Sequence, residues 1–235
     1  MPIPLIAYII GAGIAALVGG GVAYVARHDI AAALTGRVIV ILGAHKVGKT
    51  VLITYLSEAR IITPQDEYKR TAAAINAGRG NAVSSKNNPN LYANKLHDVP
   101  GAEDDLIIWE DLFRSATRRS GSLCLYLVDA KRLWDDDAEH IGRIRCDLDR
   151  IFDWRKENSS PFVFVVATHM DLVPGWKNGT EEMRSNLESR IRKHSALDLA
   201  LEKRAHVHVA DLSGNADGFV MLFDKICGSL GAKEI

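Results

Sequence analysis

The sequence predicts an α/β protein whose mainly parallel sheet of about six strands carries helices on both faces, with one further helix ahead of that body. Three observations predict it. After residue 36, short β-branched apolar runs alternate with helix-length segments, as parallel strands linked by crossover helices require. A glycine turn, Gly43 to Thr50, separates the first run from the first helical segment. None of the 29 basic and 29 acidic side chains occurs before Arg27, so the N-terminal segment faces a different solvent from the rest. A balanced net charge, 47% hydrophobic residues and 3 cysteines exclude a disordered tail, a disulfide-built module and a strongly basic nucleic-acid binder.

The elements follow in order. From Ile3 to Ala26 the chain has no charged side chain, Asn, Gln, Ser or Thr. As a helix this span would be about 36 Å long, enough for a hydrocarbon core of about 30 Å. Nothing basic precedes it and no polar cleavage region follows, so it reads as a retained single-pass membrane helix over 1–27 rather than a signal peptide. Arg27, Arg37, Lys46 and Lys49 lie on its C-terminal side, which places the body in the cytoplasm. Ala7, Gly11, Ala15, Gly19 and Ala23 make a small-residue stripe that suits self-association in lipid or chance in an Ala/Gly-rich span.

A linker, 28–36, leads into the main body, 37–235. Arg37 to Leu42 is the first buried strand and Lys49 to Ala59 the first helix. Residues 60–95 have no sustained period. Asn94 to Asp98 predicts a short strand, Asp104 to Arg118 a helix, and Leu123 to Val128 another buried strand. Asp135 to Trp154 predicts one long amphipathic helix. Pro161 to Ala167 is a strand, Thr180 to Lys193 a charged helix, Ala205 to Ala210 the last strand and Ala216 to Leu230 the closing helix. Cys124, Cys146 and Cys227 read as buried filler. Trp109, Trp134, Trp154 and Trp176 read as core or core-border residues, and Arg114, Arg118 and Arg119 as partners of a helix C-terminus. His206 and His208 share a strand face and read as structural imidazoles.

The chemistry concentrates after the strands. Gly43, Ala44, His45, Lys46, Val47, Gly48, Lys49 and Thr50 fit G-x-x-x-x-G-K-[ST] between a strand and a helix. Glycines there let backbone amides close round a phosphate, Lys49 reaches the outer phosphates, and the Thr50 hydroxyl is a ligand for Mg2+. Asp98-Val99-Pro100-Gly101 follows a later strand as D-x-x-G. At that point the chain resembles the Ras-like P-loop GTPase superfamily. The likeness spans about residues 37–230, and the proline of D-V-P-G looks more like the Era, TrmE and septin side than Ras itself.

The resemblance implies a G domain that binds GTP or GDP with Mg2+. It gives Asp98 a water-mediated role at the metal and Gly101 contact with the terminal phosphate. Thr168-His169-Met170-Asp171 stands in the place of the guanine-reading [NT]-K-x-D element, with His169 where lysine is usual. Its carboxylate, Asp171, accepts from the ring N–H and amino group that guanine offers and adenine does not. Ser213 and Gly214 stand where a further loop supports the base. The switch-I threonine falls within 60–95, where Thr63, Thr71, Ser84 and Ser85 are all open.

Two departures bear on turnover. The residue after D-x-x-G is Ala102, without the polar atom that orients water in Ras relatives, so intrinsic hydrolysis should be slow. Lys46 occupies a position where some relatives hold a monovalent cation, and its ammonium is a candidate replacement beside Lys49. The expected function is a membrane-anchored GTPase that controls assembly or recruitment, acting with an unidentified effector or activating protein. Its rivals are a GTP-binding scaffold with negligible hydrolysis and a nucleotide-regulated membrane oligomer or pore. No nucleic-acid partner is indicated.

Overall fold

The computed structural model describes residues 38–58, 75–76, 95–98, 106–117, 122–155, 161–213 and 216–231. The expected membrane span over 3–26, the linker and most of 60–95 lie outside them. Among the described residues no helix is long and apolar enough to cross a membrane.

The strands are β1 (Val38–Gly43), β2 (Ile75–Asn76), β3 (Lys95–Asp98), β4 (Leu123–Asp129), β5 (Phe162–Thr168) and β6 (His206–Val209). They form one sheet in the order β2-β3-β1-β4-β5-β6. All neighbours are parallel except β2 with β3. The helices are α1 (Lys49–Glu58), α2 (Leu106–Thr117), α3 (Ala130–Trp134), α4 (Ala138–Arg155), α5 (Glu181–Arg192), α6 (Asp198–Glu202) and α7 (Ala216–Gly231).

Period-2 alternation divides the buried strands between two layers. Val40, Leu42, Tyr126, Val128 and Val165 face one layer, with Trp109 and Phe113 of α2 and Ile144, Leu148 and Ile151 of α4. Ile39, Ile41, Leu125, Leu127, Phe164 and Val166 face the other, with Leu52 of α1 and Phe219, Leu222 and Phe223 of α7. Tyr55 and Phe219 stack there at 4.0 Å. Burial on both faces is why β1 and β4 are almost uninterrupted apolar runs. The tryptophans border or fill the first layer as expected: Trp109 is wholly buried, and Trp134, Trp154 and Trp176 pack against it.

Two expectations need correction. The single helix over Asp135 to Trp154 is two helices, because the chain stops after Trp134 and restarts at Ala138. Asp136 takes a left-handed φ of 53°, and the Asp137 carboxylate accepts from the His140 N–H at 3.0 Å, supplying a helix start inside the apparent period. Cys146 is exposed while Cys124 is buried, its thiol pushed up to about 12 first by burial. The side chain of Cys227 lies outside the described set. Arg114 lies in the last turn of α2, as expected of a partner of its C-terminus, and also pairs with Glu110 one turn back; Arg118 and Arg119 lie outside the described residues.

α5 starts on Thr180, whose hydroxyl accepts from the Met183 N–H at 3.3 Å, and has Glu181 and Glu182 in its first turn and Arg190 and Arg192 in its last. Both charge placements favour its dipole. The 3-10 turn Ser195–Leu197 and α6, which no sequence pattern had suggested, return the chain to β6.

On β6 the rings of His206 and His208 are 6.4 Å apart and nearly parallel, beside Phe164. Burial first, then Arg192, lowers the His208 imidazole to about 4 from an ordinary 6.5. The unfolded chain therefore takes up a proton near pH 6.5 that the fold refuses until about pH 4. Stability should fall with pH across that window, and urea unfolding of His208→Gln should lose this part of the slope.

Candidate functional site

β3 lies on one side of β1 and β4 on the other, so the strand order reverses between β1 and β4. The carboxyl ends of strands at such a point are where open α/β sheets bind ligands. The loop that leaves β1 sits there. Gly43 has φ 140°, and a Cβ on it would stand 2.4 Å from the Leu127 carbonyl oxygen of β4. Only glycine permits that approach of two backbones. Gly48 has φ 86°, and Lys46 between them is itself left-handed at φ 64°. The loop thus turns tightly enough for α1 to start at Lys49, its first turn closed by the Leu52 N–H donating to the Gly48 carbonyl at 3.1 Å.

Lys49 is 7% exposed, and its ammonium donates to the Gly43 carbonyl at 2.8 Å and the Ala44 carbonyl at 2.7 Å. A buried cation is stable when hydrogen-bonded in this way. The cation is held across the mouth of the loop by groups that an anionic ligand would replace. Val47 is buried and anchors the loop to the second core layer, whereas His45 and Lys46 are exposed. Thr50 is half-buried in the first turn of α1. Asp98 ends β3, in register with Ile41 of β1. Gly101 and Ala102 lie outside the described residues, as does Gly214.

The loop after β5 meets the 43–50 loop directly. Thr168 is wholly buried, with its hydroxyl oxygen 2.9 Å from the Val47 carbonyl and 3.0 Å from the Val128 carbonyl. One hydroxyl proton serves one acceptor at a time: one bond ties the end of β5 to the loop after β1, the other ties it to the end of β4. His169 is left-handed, at φ 57° and ψ 31°, and its Nε2 lies 3.9 Å from where a Cβ on Gly48 would be. Its Nδ1 is 2.9 Å from Asp129 Oδ2.

Asp171 lies in the 3-10 turn Met170–Leu172 that follows, its side chain 11% exposed and 3.9 Å from the Lys177 ammonium. Ser213 is exposed and turned inward on Asp211, to which its N–H and hydroxyl both donate, at 3.0 and 2.6 Å. Asp211 also accepts from the Trp176 indole N–H at 3.2 Å, joining the loop after β6 to the loop after β5. The structure therefore gathers 43–50, 168–171 and 211–213 at one end of the sheet.

Asp129 is the site residue that motif reading missed. It caps α3, accepting from the Lys131 and Arg132 N–H groups at 2.9 and 3.2 Å, and it donates its own N–H to His140 Nε2 at 3.1 Å. An Asp at a strand end directly before a short helix is a cap signal in sequence. Its second partner, 40 residues away, carries no local signal.

The donor set fits a polyphosphate and a small hard cation. Gly48 leaves open room that a Cβ would fill, Lys49 supplies a buried cation, and Thr50 offers a hydroxyl oxygen at the helix start.

No protein-family model and no curated protein matches the chain. Solved structures do. The signal recognition particle receptor SRb-GTP/SRX complex from Chaetomium thermophilum contains a chain that is 19% identical, with a TM-score of 0.50; the match covers 82% of this chain and 97% of that one. A chain of the mammalian SRP receptor is 14% identical with a TM-score of 0.52, covering 81% and 100%. Two receptor chains matched over almost their whole length show that this chain has their fold.

Proposed function

We propose that this chain is a membrane-anchored GTP-binding protein that hydrolyses GTP to GDP and phosphate and changes conformation to control assembly or recruitment at a membrane. The observation that carries the reading is the buried Thr168 hydroxyl 2.9 Å from the Val47 carbonyl. It joins the turn suited to phosphates to the loop whose carboxylate is suited to guanine.

In this reading the amides of 43–50 wrap the phosphates, and Lys49 leaves the Gly43 and Ala44 carbonyls to neutralise the outer ones. Lys46, exposed on the same loop, adds a second cation. Asp171 accepts from the guanine edge, His169 packs beside Gly48, and Ser213 and Gly214 border the base. Thr50 and Asp98 hold Mg2+, which when bound neutralises charge on the terminal phosphates. Gly101 couples the terminal phosphate to α2, and a partner protein supplies the group that orients water. The segment 3–26 anchors the body, which faces the cytoplasm.

The test is equilibrium binding of GTP, GDP and ATP to the full-length protein in detergent. Asp171→Asn should weaken GTP by about 1.5 to 3 kcal/mol, roughly ten- to 150-fold, because it replaces a charged acceptor of two donors with an amide. ATP binding as tightly as GTP would refute the guanine assignment. The scaffold reading is favoured by one feature, Ala102. Single-turnover hydrolysis on liposomes separates it: bound GTP that persists for hours at high surface density supports the scaffold.

A further inference from the structure

His169 stands where the Ras-like pattern has lysine, and its ring is placed from three directions. The left-handed backbone at 169 turns it out of β5, Asp129 holds Nδ1, and Nε2 faces the loop at Gly48. Asp129 is itself fixed, since its other oxygen accepts from two amides at the start of α3.

The surrounding charges decide where a proton goes. Burial works against the Asp129 carboxylate, but His169 and the two amides hold its pKa below the usual range. The Asp129 hydrogen bond, opposed by burial, raises that of His169, with Asp129 and Asp171 adding charge in the same sense. His140, on α4 behind Asp129, is lowered first by burial and then by Arg132 of α3; its Nε2 is already an acceptor. Lys46 and Lys49 on the loop and Lys177 beyond Asp171 are the neighbouring cations. Neutral His169 donating from Nδ1 presents a bare lone pair at Nε2 toward the anion-binding loop. Protonated His169 presents an N–H and a positive charge instead.

We propose that Asp129 and His169 form a proton-dependent nucleotide clamp, in which Asp129 is the positioning residue and imidazolium at 169 closes the base loop onto the phosphate loop. The proposal rests on the GTP-binding reading above. A lysine in this place stays charged through the physiological range; histidine makes affinity depend on pH. By linkage, nucleotide that prefers the imidazolium also raises its pKa and takes up a proton on binding.

The experiment is a GDP titration with Mg2+ of the full-length protein in detergent, from about pH 5.5 to pH 9, against His169→Lys. Ionisation of GDP itself is common to both and cancels. The parent's affinity relative to His169→Lys should fall about tenfold as pH rises through the His169 transition, with proton uptake seen calorimetrically in buffers of different ionisation enthalpy. Asp129→Asn should move that midpoint down toward the ordinary imidazole range. Because it also weakens the α3 cap, circular dichroism accompanies it, and His169→Lys leaves the cap intact. A constant affinity ratio between parent and His169→Lys overturns the clamp while leaving GTP binding in place. Failure to bind nucleotide at any pH overturns the GTP reading and the clamp with it.

Discussion

Lys49→Ala is expected to weaken nucleotide binding by about 2 to 5 kcal/mol, a factor of roughly 30 to several thousand, and to lower turnover by a further factor on the order of 10² to 10³. The side chain is 7% exposed and its ammonium already has two carbonyl acceptors at hydrogen-bond distance. Binding a polyphosphate exchanges neutral acceptors for charged ones, which strengthens the bonds without moving the cation far. Alanine removes both sets. The Gly43 and Ala44 carbonyls lose their donor, and the ligand loses a desolvated positive charge. Fluorescent-GDP titration with circular dichroism measures the effect; a folded variant with parental affinity would show that the loop does not hold phosphate.

Asp147→Ala is expected to destabilise the body by about 3 to 5 kcal/mol, the range for removing one partner of a buried ion pair. Asp147 is 1% exposed, inside the layer between α4 and β4. It accepts from the Tyr126 hydroxyl at 3.0 Å and from Arg143 Nε at 2.9 and 2.8 Å. Arg143 also lies 5.8 Å from the centre of the Trp109 ring on α2. The carboxylate therefore satisfies a buried hydroxyl and a part-buried guanidinium, and the arginine links α4 to the helix that follows the D-x-x-G element. Burial first, then Asp147, raises the Tyr126 phenol well above its usual range, so it remains a donor. Alanine leaves that hydroxyl without this acceptor and deprives Arg143 of its counter-charge. Against a total of about 5 to 15 kcal/mol for a typical domain, the loss is a large fraction. Urea unfolding should show a lower midpoint, and a shift under about 1 kcal/mol would mean that water satisfies the pair.

Much of the framework was legible because its signals are local. β1, β4 and β5 are buried on both faces, so each is a continuous apolar run bounded by polar or glycine residues. The loop at 43–50 is legible because a backbone at φ 140° and 86° demands glycine at two fixed positions. The break between α3 and α4 was not. Apolar residues continue at helical spacing on both sides, and the stop depends on a left-handed Asp136 and a cap from Asp137 that composition alone does not separate from ordinary helix-surface carboxylates. Cys146 misled for a related reason, since burial of a helical cysteine depends on which side the neighbouring helix packs.

By itself, then, the sequence determined the strand-and-helix alternation, the glycine turn with its lysine, and the order of the loops along the chain. Periodicity and backbone conformation are decided within a few residues, so a linear reading reaches them. Only the tertiary structure decided that Thr168 meets Val47 across 121 positions and that Asp129 meets His169 across 40. Those contacts come from the order of strands in the sheet, which places the ends of β1, β4 and β5 side by side. Hydrogen bonds need partners within about 3 Å, and separation along the chain carries no record of that closeness.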